Sequence, residues 1–437
     1  MTREGHEPVF RGSSRTVRPV FYMNRGLSQA GQGTFLAGLL LLAGRGAAGT
    51  ASLTGVFIAM MAAAAVCGLP AGALADRMGA PRALVAGAIG RAAVIAAALF
   101  VPADPVSLAA VAFGYSAVSQ LFSPAEMALV SAVSSHRPAG MHAALVGLQH
   151  VGQGFGLVAI VPITLWLGGP TLMFATALAI YVMVIATSTL LAVQVPNSGS
   201  VGSARQAFSF AAPFRYFARW STAGYAGLLL AFGELLSKSL LVAVPVYFSN
   251  DLHLSNTTQV MLIAPGVVGV IAGLVWSGRF LHVWVAPNVL RVALLVSAVA
   301  VVALAGLGNV VARLAEMSDQ GFVSHLESGH LLSVLVAMPV GLLLGICFSL
   351  TPIAGRAILS ATAPEGQQGR VFAIQGTFTD VLCILPLALS GMSTEFAGAR
   401  TTFILIGGLG LGLFALMELT WLGQVRHAHR RPLPSPV

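Results

Sequence analysis

Ionisable side chains interrupt long apolar runs, among them Arg91, Glu126, His150, Glu234, Lys238 and Asp380. A charge in a nonpolar medium is costly unless it is paired or faces water, so each is a functional candidate by default. The chemistry open to them is moving a proton or holding a charged group. No nucleophile–base motif, phosphate-cradling loop or metal-ligand spacing accompanies them. Arg91 lies about eight residues into its run, roughly 12 Å from the start. Glu126 lies at comparable depth in the next run, so the spacing predicts an ion pair between successive helices, as a structural clamp or a working pair. Glu234 and Lys238 are four residues apart, hence on one helical face and able to pair. Either they neutralise each other, or Glu234 gives up Lys238 for a proton or a cationic group. Asp380 sits in the middle of its run, where a carboxylate that changes exposure could load and release a proton, or make a structural hydrogen bond. His150, with Gln149 and Gln153, adds polarity to another run, as a titrating group or a core histidine.

The runs that must position these groups are 26–44, 52–74, 83–101, 106–132, 142–166, 171–193, 221–248, 257–280, 288–310, 331–359, 369–391 and 400–422. Each is roughly 19–28 residues long, enough to cross a hydrocarbon core of about 30 Å as a helix. Inside lipid every backbone N–H and C=O must be satisfied within its own segment, which predicts helices. The composition agrees: 57% of residues are hydrophobic and 8% charged, against about 25% charged in a soluble domain. The expected fold class is an all-α membrane protein with twelve transmembrane helices. In the first run Gln29 and Gln32 share a face and are expected to line a central cavity. A secretory leader with an apolar core at 35–43 is the competing reading of that run.

The net charge of +9 is unevenly spread. Most arginines, Arg25, Arg77, Arg82, Arg205 and Arg356 among them, fall on one side of the runs, and only Arg45, Arg313 and Arg400 on the other. That asymmetry predicts a cell (inner or plasma) membrane protein with both termini in the cytoplasm. No continuous basic surface suits nucleic acid. Segment 309–330 is expected outside the cytoplasm as a solvated loop, with a metal reading of His325, Glu327 and His330 as the lesser alternative. Cys67, Cys347 and Cys383 lie inside apolar runs and read as small buried hydrophobes. No cofactor is expected.

The chain divides into a tail at 1–25, a six-helix bundle at 26–193, a cytoplasmic linker at 194–220, a second six-helix bundle at 221–423 and a tail at 424–437. Residues 122–132 resemble 350–360, with Pro124 opposite Pro352, and Gly140 and Gly147 fall opposite Gly369 and Gly376. Parallel six-helix repeats around a midplane site are the architecture of one large transporter class.

At 72–82 the sequence GALADRMGAPR resembles the loop between helices two and three of the major facilitator superfamily, with Gly72, Asp76, Arg77, Gly79 and Arg82 in the family's positions. The resemblance implies that Asp76 holds one end state by engaging the start of helix eleven, where a helix dipole favours an anion. Arg91, Pro124, PVYF at 245–248 and GRVFA at 369–373 narrow the resemblance to bacterial exporters of the siderophore and macrolide type. Two features depart from the antiporter pattern. Residues 110–120 carry no arginine, and although Gly147 and Gly156 fit the Gly-rich motif of helix five, IVP at 160–162 does not reproduce its Gly-Pro end. The resemblance implies export of a small amphipathic organic molecule by alternating access with proton antiport, through a monomer that meets only its substrate, protons and the bilayer. Proton-coupled uptake, transport of a lipid-like substrate, and a non-transporting receptor or assembly factor on the same fold are the alternatives; an enzyme is not expected. Asp380, Glu234 and Glu126 are the candidate proton-coupling groups. Lys238, Arg91, His150, Gln29, Gln32, Gln149 and Gln153 are their candidate charge partners or cavity groups.

Overall fold

The computed structural model describes residues 14–44, 49–133, 138–195, 222–252, 256–280, 286–317, 329–362 and 368–429. Among these, every regular element is helical. In chain order they are α1 (Ser14–Ala43), α2 (Gly49–Met78), α3 (Ala80–Ala98), α4 (Pro105–Val133), α5 (Pro138–Phe155), α6 (Val161–Gln194), α7 (Thr222–Val246), α8 (Asn256–Phe280), α9 (Ala286–Met317), α10 (Gly329–Thr362), α11 (Gln368–Ala397) and α12 (Ala399–His429). Among the described residues nine stretches are long and apolar enough to cross a membrane, and a shorter apolar stretch, Pro265–Ser277, lies in α8.

Several helices outrun the apolar runs that predict them. Hydrocarbon thickness limits the apolar stretch, whereas the backbone helix stops only where its hydrogen bonding is broken. Thus α1 begins at Ser14, twelve residues before the expected start at 26, and α9 continues to Met317 into the segment expected as a loop. Residues 318–328, which include His325 and Glu327, lie outside the described residues, as does the side chain of His330.

Three breaks rest on glycine. Gly79, Gly169 and Gly398 have φ of 82°, 67° and 86°, where L side chains are strained. Gly79 separates α2 from α3 with no intervening loop, and Pro81 follows inside the first turn, where its missing N–H costs nothing. Gly169 folds the end of the fifth span back into the sixth within α6. Between α5 and α6, Gly156–Ile160 form a wider turn just ahead of Pro162, which has no N–H to continue the ordinary ladder.

The start of α4 is fixed by Asp104. Its Oδ1 accepts from the backbone N–H of Val106 at 3.1 Å and of Ser107 at 3.0 Å, an N-cap ahead of a proline at the first helical position. The Ser107 hydroxyl and the same backbone groups hold this carboxyl below its usual range. Its contribution to stability is therefore full above the unfolded-chain value and fades as the pH falls through the folded one. Asp104→Ala should lower the melting temperature modestly at neutral pH, with a difference that shrinks below about pH 4. A pH-independent difference would contradict the cap.

By backbone contacts the chain forms two compact units, 1–218 with 362–392, and 219–361 with 393–437. In the first, α1 packs on α5 and α6, α4 on α2 and α3, and α3 on α6. Over most of its length α11 belongs here too, and a Cβ on Gly391 would collide with the Thr54 hydroxyl of α2. In the second, α12 packs on α9 and α7.

Candidate functional site

The interior of the first unit holds a buried polar network built on α1. Its residues Asn24, Arg25, Ser28 and Gln29 are all buried, in a stripe at helical spacing. Arg25 Nη1 donates to Glu126 Oε2 of α4 in a close ion pair, and Nη2 donates to Gln149 Oε1 of α5 at 2.9 Å. Gln153 Nε2 donates to Gln29 Oε1 at 2.9 Å, a second tie to α5. Asn24 Nδ2 reaches Thr187 Oγ1 and Ser188 Oγ of α6, both at 2.8 Å. One face of one helix thus fastens three others.

These contacts correct one expectation. Glu126 pairs with Arg25, not with Arg91. Equal depth in adjacent helices does not decide which carboxylate a long side chain reaches, and the early start of α1 carries Arg25 inside the unit, where it is 7% exposed. Gln29 is buried with its Oε1 accepting from Gln153, and Gln32 is half-buried. Sequence reasoning missed Arg25 because a basic residue just before an apolar run reads as topology. The signal that marks it is the polar stripe at 25, 28, 29 and 32, whose period is that of a helix.

Arg91 is buried, and among the described residues no carboxylate pairs with it. Nε donates to Ser119 Oγ at 2.9 Å and Nη1 to Ser28 Oγ at 3.1 Å. Its guanidinium carbon lies 4.2 Å from the centre of the Phe122 ring and 5.6 Å from that of Tyr115. Ring faces carry negative charge density and suit a cation that has left water. Behind it the Tyr115 and Tyr181 hydroxyls lie 2.6 Å apart, and Tyr181 donates to Ser28 O at 3.2 Å.

The α1–α5 contact is unusually close. A Cβ on Gly152 would lie 2.7 Å from Gly26 O, and one on Gly156 2.7 Å from Ala30 O. Gly152, on the last turn of α5, and Gly156, at the start of the wider turn that follows it, are four residues apart, the small-residue pattern by which membrane helices meet backbone to backbone.

In the second unit Lys238 Nζ lies 2.9 Å from Glu234 Oε1 on α7; the Glu234 side chain is 47% accessible and that of Lys238 14%. Towards its end α7 loosens, with Leu252 N donating to Tyr247 O five residues back, at 3.1 Å. Beyond it Arg400 Nε, at the start of α12, lies 2.8 Å from Asp251 Oδ1. Arg291 Nε of α9 is 3.6 Å from Glu418 Oε1 of α12. Asp380, on α11 in the first unit, is half-buried. The side chains of His150 and Asp76 lie outside the described residues.

Residues 20–322 match the Major Facilitator Superfamily, more than half of the chain. The chain belongs to the major facilitator superfamily. Solved structures of superfamily-like shape agree with it. The nucleoside transporter NupG has a TM-score of 0.67 at 14% identity, covering 92% of this chain and 99% of that one. A POT family transporter in complex with 5-aminolevulinic acid has a TM-score of 0.64 at 14% identity, covering 94% and 97%. The human organic anion transporter MFSD10 has a TM-score of 0.58 at 16% identity, covering 93% and 100%. No curated protein matches by sequence. The superfamily places this chain among multi-pass membrane transporters of small molecules, and the all-helical fold is the superfamily's. Residues 72–82, which resemble the superfamily's loop between helices two and three, occupy the α2–α3 junction, where Gly79 is buried at the break and Arg77 and Arg82 are exposed on either side.

Proposed function

We propose that this chain exports a small amphipathic organic molecule, such as a drug, siderophore or natural product, by alternating access of two six-helix bundles, driven by inward proton movement. The observation that carries the reading is the contrast in accessibility among its membrane carboxylates. A coupling carboxylate must meet water in at least one state. Glu126 is sealed at 0% exposure and held by Arg25. Glu234 is open and Asp380 half-open. That contrast supports Glu234 and Asp380 as the proton carriers and Glu126 as a clamp. A proton arriving on Glu234 discharges its attraction for Lys238, so the pair opens as the carrier loads, and the two states then differ in what the ammonium can bind.

In reconstituted vesicles Asp380→Asn should abolish gradient-driven transport and leave counterflow exchange largely intact, because exchange needs no net proton movement. Glu234→Gln should also reduce the amount of protein in the membrane, since it takes the carboxylate from Lys238. Adding Lys238→Met should restore that amount but not the coupling. Concentrative transport by both single variants would sink the proton-coupled reading, and whole cells that gain substrate rather than lose it would reverse the direction.

The same reading puts both termini in the cytoplasm of the cell membrane. An impermeant thiol reagent should modify Ser324→Cys in intact cells and spare Ser203→Cys. The opposite pattern would invert the topology.

A further inference from the structure

The second unit contains a cleft of about 400 Å³ between α9 and the α8–α10 pair. Val289, Val292 and Val296 of α9 face Ile346, Cys347 and Leu350 of α10 across it. It exists because α8 and α10 meet backbone to backbone, where a Cβ on Gly345 would collide with Gly266 O and one on Gly269 with Leu342 O. That contact draws α10 towards α8, while α9 offers only short valine and alanine side chains in return. The cleft opens sideways, with Val292 59% and Leu343 45% accessible at its rim. Both walls belong to stretches of membrane-crossing length and apolarity, Ala286–Val310 and Leu335–Leu359. What surrounds such a rim is hydrocarbon. Polar groups gather at the N-terminal end of α9, where Asn288 is exposed and Trp276 is 40% accessible. An amphipathic ring beside an amide is what the membrane–water interface favours.

We infer that this cleft binds one acyl chain of a bilayer phospholipid, with the ester and headgroup at the Asn288–Trp276 end. The volume lies within the range of small-ligand sites, about 300–1,000 Å³, and the wall is apolar apart from Asn288 at its end. Lipid tails are as apolar as the wall, so no hydrophobic gain selects the chain. Selection comes from dispersion: a concave wall touches an acyl chain on several sides, where a convex helix face touches it on one. The inference is independent of the direction or coupling of transport.

The test uses the full chain in vesicles containing a trace of phosphatidylglycerol with a diazirine midway along one acyl chain, and adducts mapped by mass spectrometry. The reference surface is the outer face of α12, where Ile404, Leu405 and Leu409 are each more than half accessible. Cleft residues should be labelled roughly tenfold more than this face, the ratio that about 1.4 kcal/mol of extra contact confers. Ala293→Phe or Val296→Phe, which fill the cleft, should bring the ratio to parity without changing the labelling of α12. Parity in the unaltered protein would overturn the inference, as would an excess that survives both filled variants. A strong cleft excess with a compact phenyl diazirine, but none with the phospholipid, would also overturn it in favour of a small-molecule pocket.

Discussion

Arg25→Met should be among the most damaging single changes in the first unit, costing about 3–5 kcal/mol, because it leaves the Glu126 carboxylate buried without its counter-charge. Glu126 is wholly enclosed and Arg25 nearly so, so little water reaches either group to compensate. Glu126→Leu should cost a comparable amount by stranding the guanidinium. The double change Arg25→Met, Glu126→Leu should recover much of the loss, since apolar groups of similar volume can replace a buried pair at little net cost. The measurement is a double-mutant cycle on thermal unfolding in detergent, with the amount of folded protein as a second readout. Additive losses would mean that the two charges are not coupled and that the contact is incidental.

The α1–α5 contact predicts the second large effect. Gly152→Leu should destabilise by about 1–3 kcal/mol or more, the range for overpacking, because the atom in its way is Gly26 O and a backbone cannot turn aside. The displacement should also part Gln153 from Gln29 and Gln149 from Arg25. Gly154→Leu is the control. Its position has open space around it, and in a helix interior the larger side chain lowers the backbone entropy cost. Equal tolerance of both changes, read by melting temperature and by gel filtration of the detergent-solubilised protein, would refute the backbone-to-backbone contact.

The helices were legible because their cause is one-dimensional: length and apolarity along the chain decide what can span lipid. The turn between the second and third runs was legible from the loop resemblance at 72–82, but the left-handed backbone at Gly79 that makes it came only with the structure. Pairing was legible only where it is local. Glu234 and Lys238, one helical turn apart, meet as their spacing predicts. Arg25 and Glu126 are 101 positions apart, and nothing local tells which of two arginines a carboxylate will find. Arg91 shows the complementary limit. Its burial could be read from the run it interrupts, but its stabilisation by Phe122, Tyr115 and two serine hydroxyls depends on how α1, α3 and α4 pack.

Lys238 is the only lysine in the sequence, and its ammonium is held against a carboxylate four residues away. The chain therefore carries a single side-chain amine, built into the candidate coupling pair. An acylating reagent small enough to enter has one side-chain target besides any free α-amino group. An ammonium held against Glu234 is shielded from a reagent by its carboxylate neighbour, and separation of the two uncovers it. The rate at which that amine is acylated is thus a native clock for the opening of the pair, readable as a mass increment on one peptide without introducing any probe.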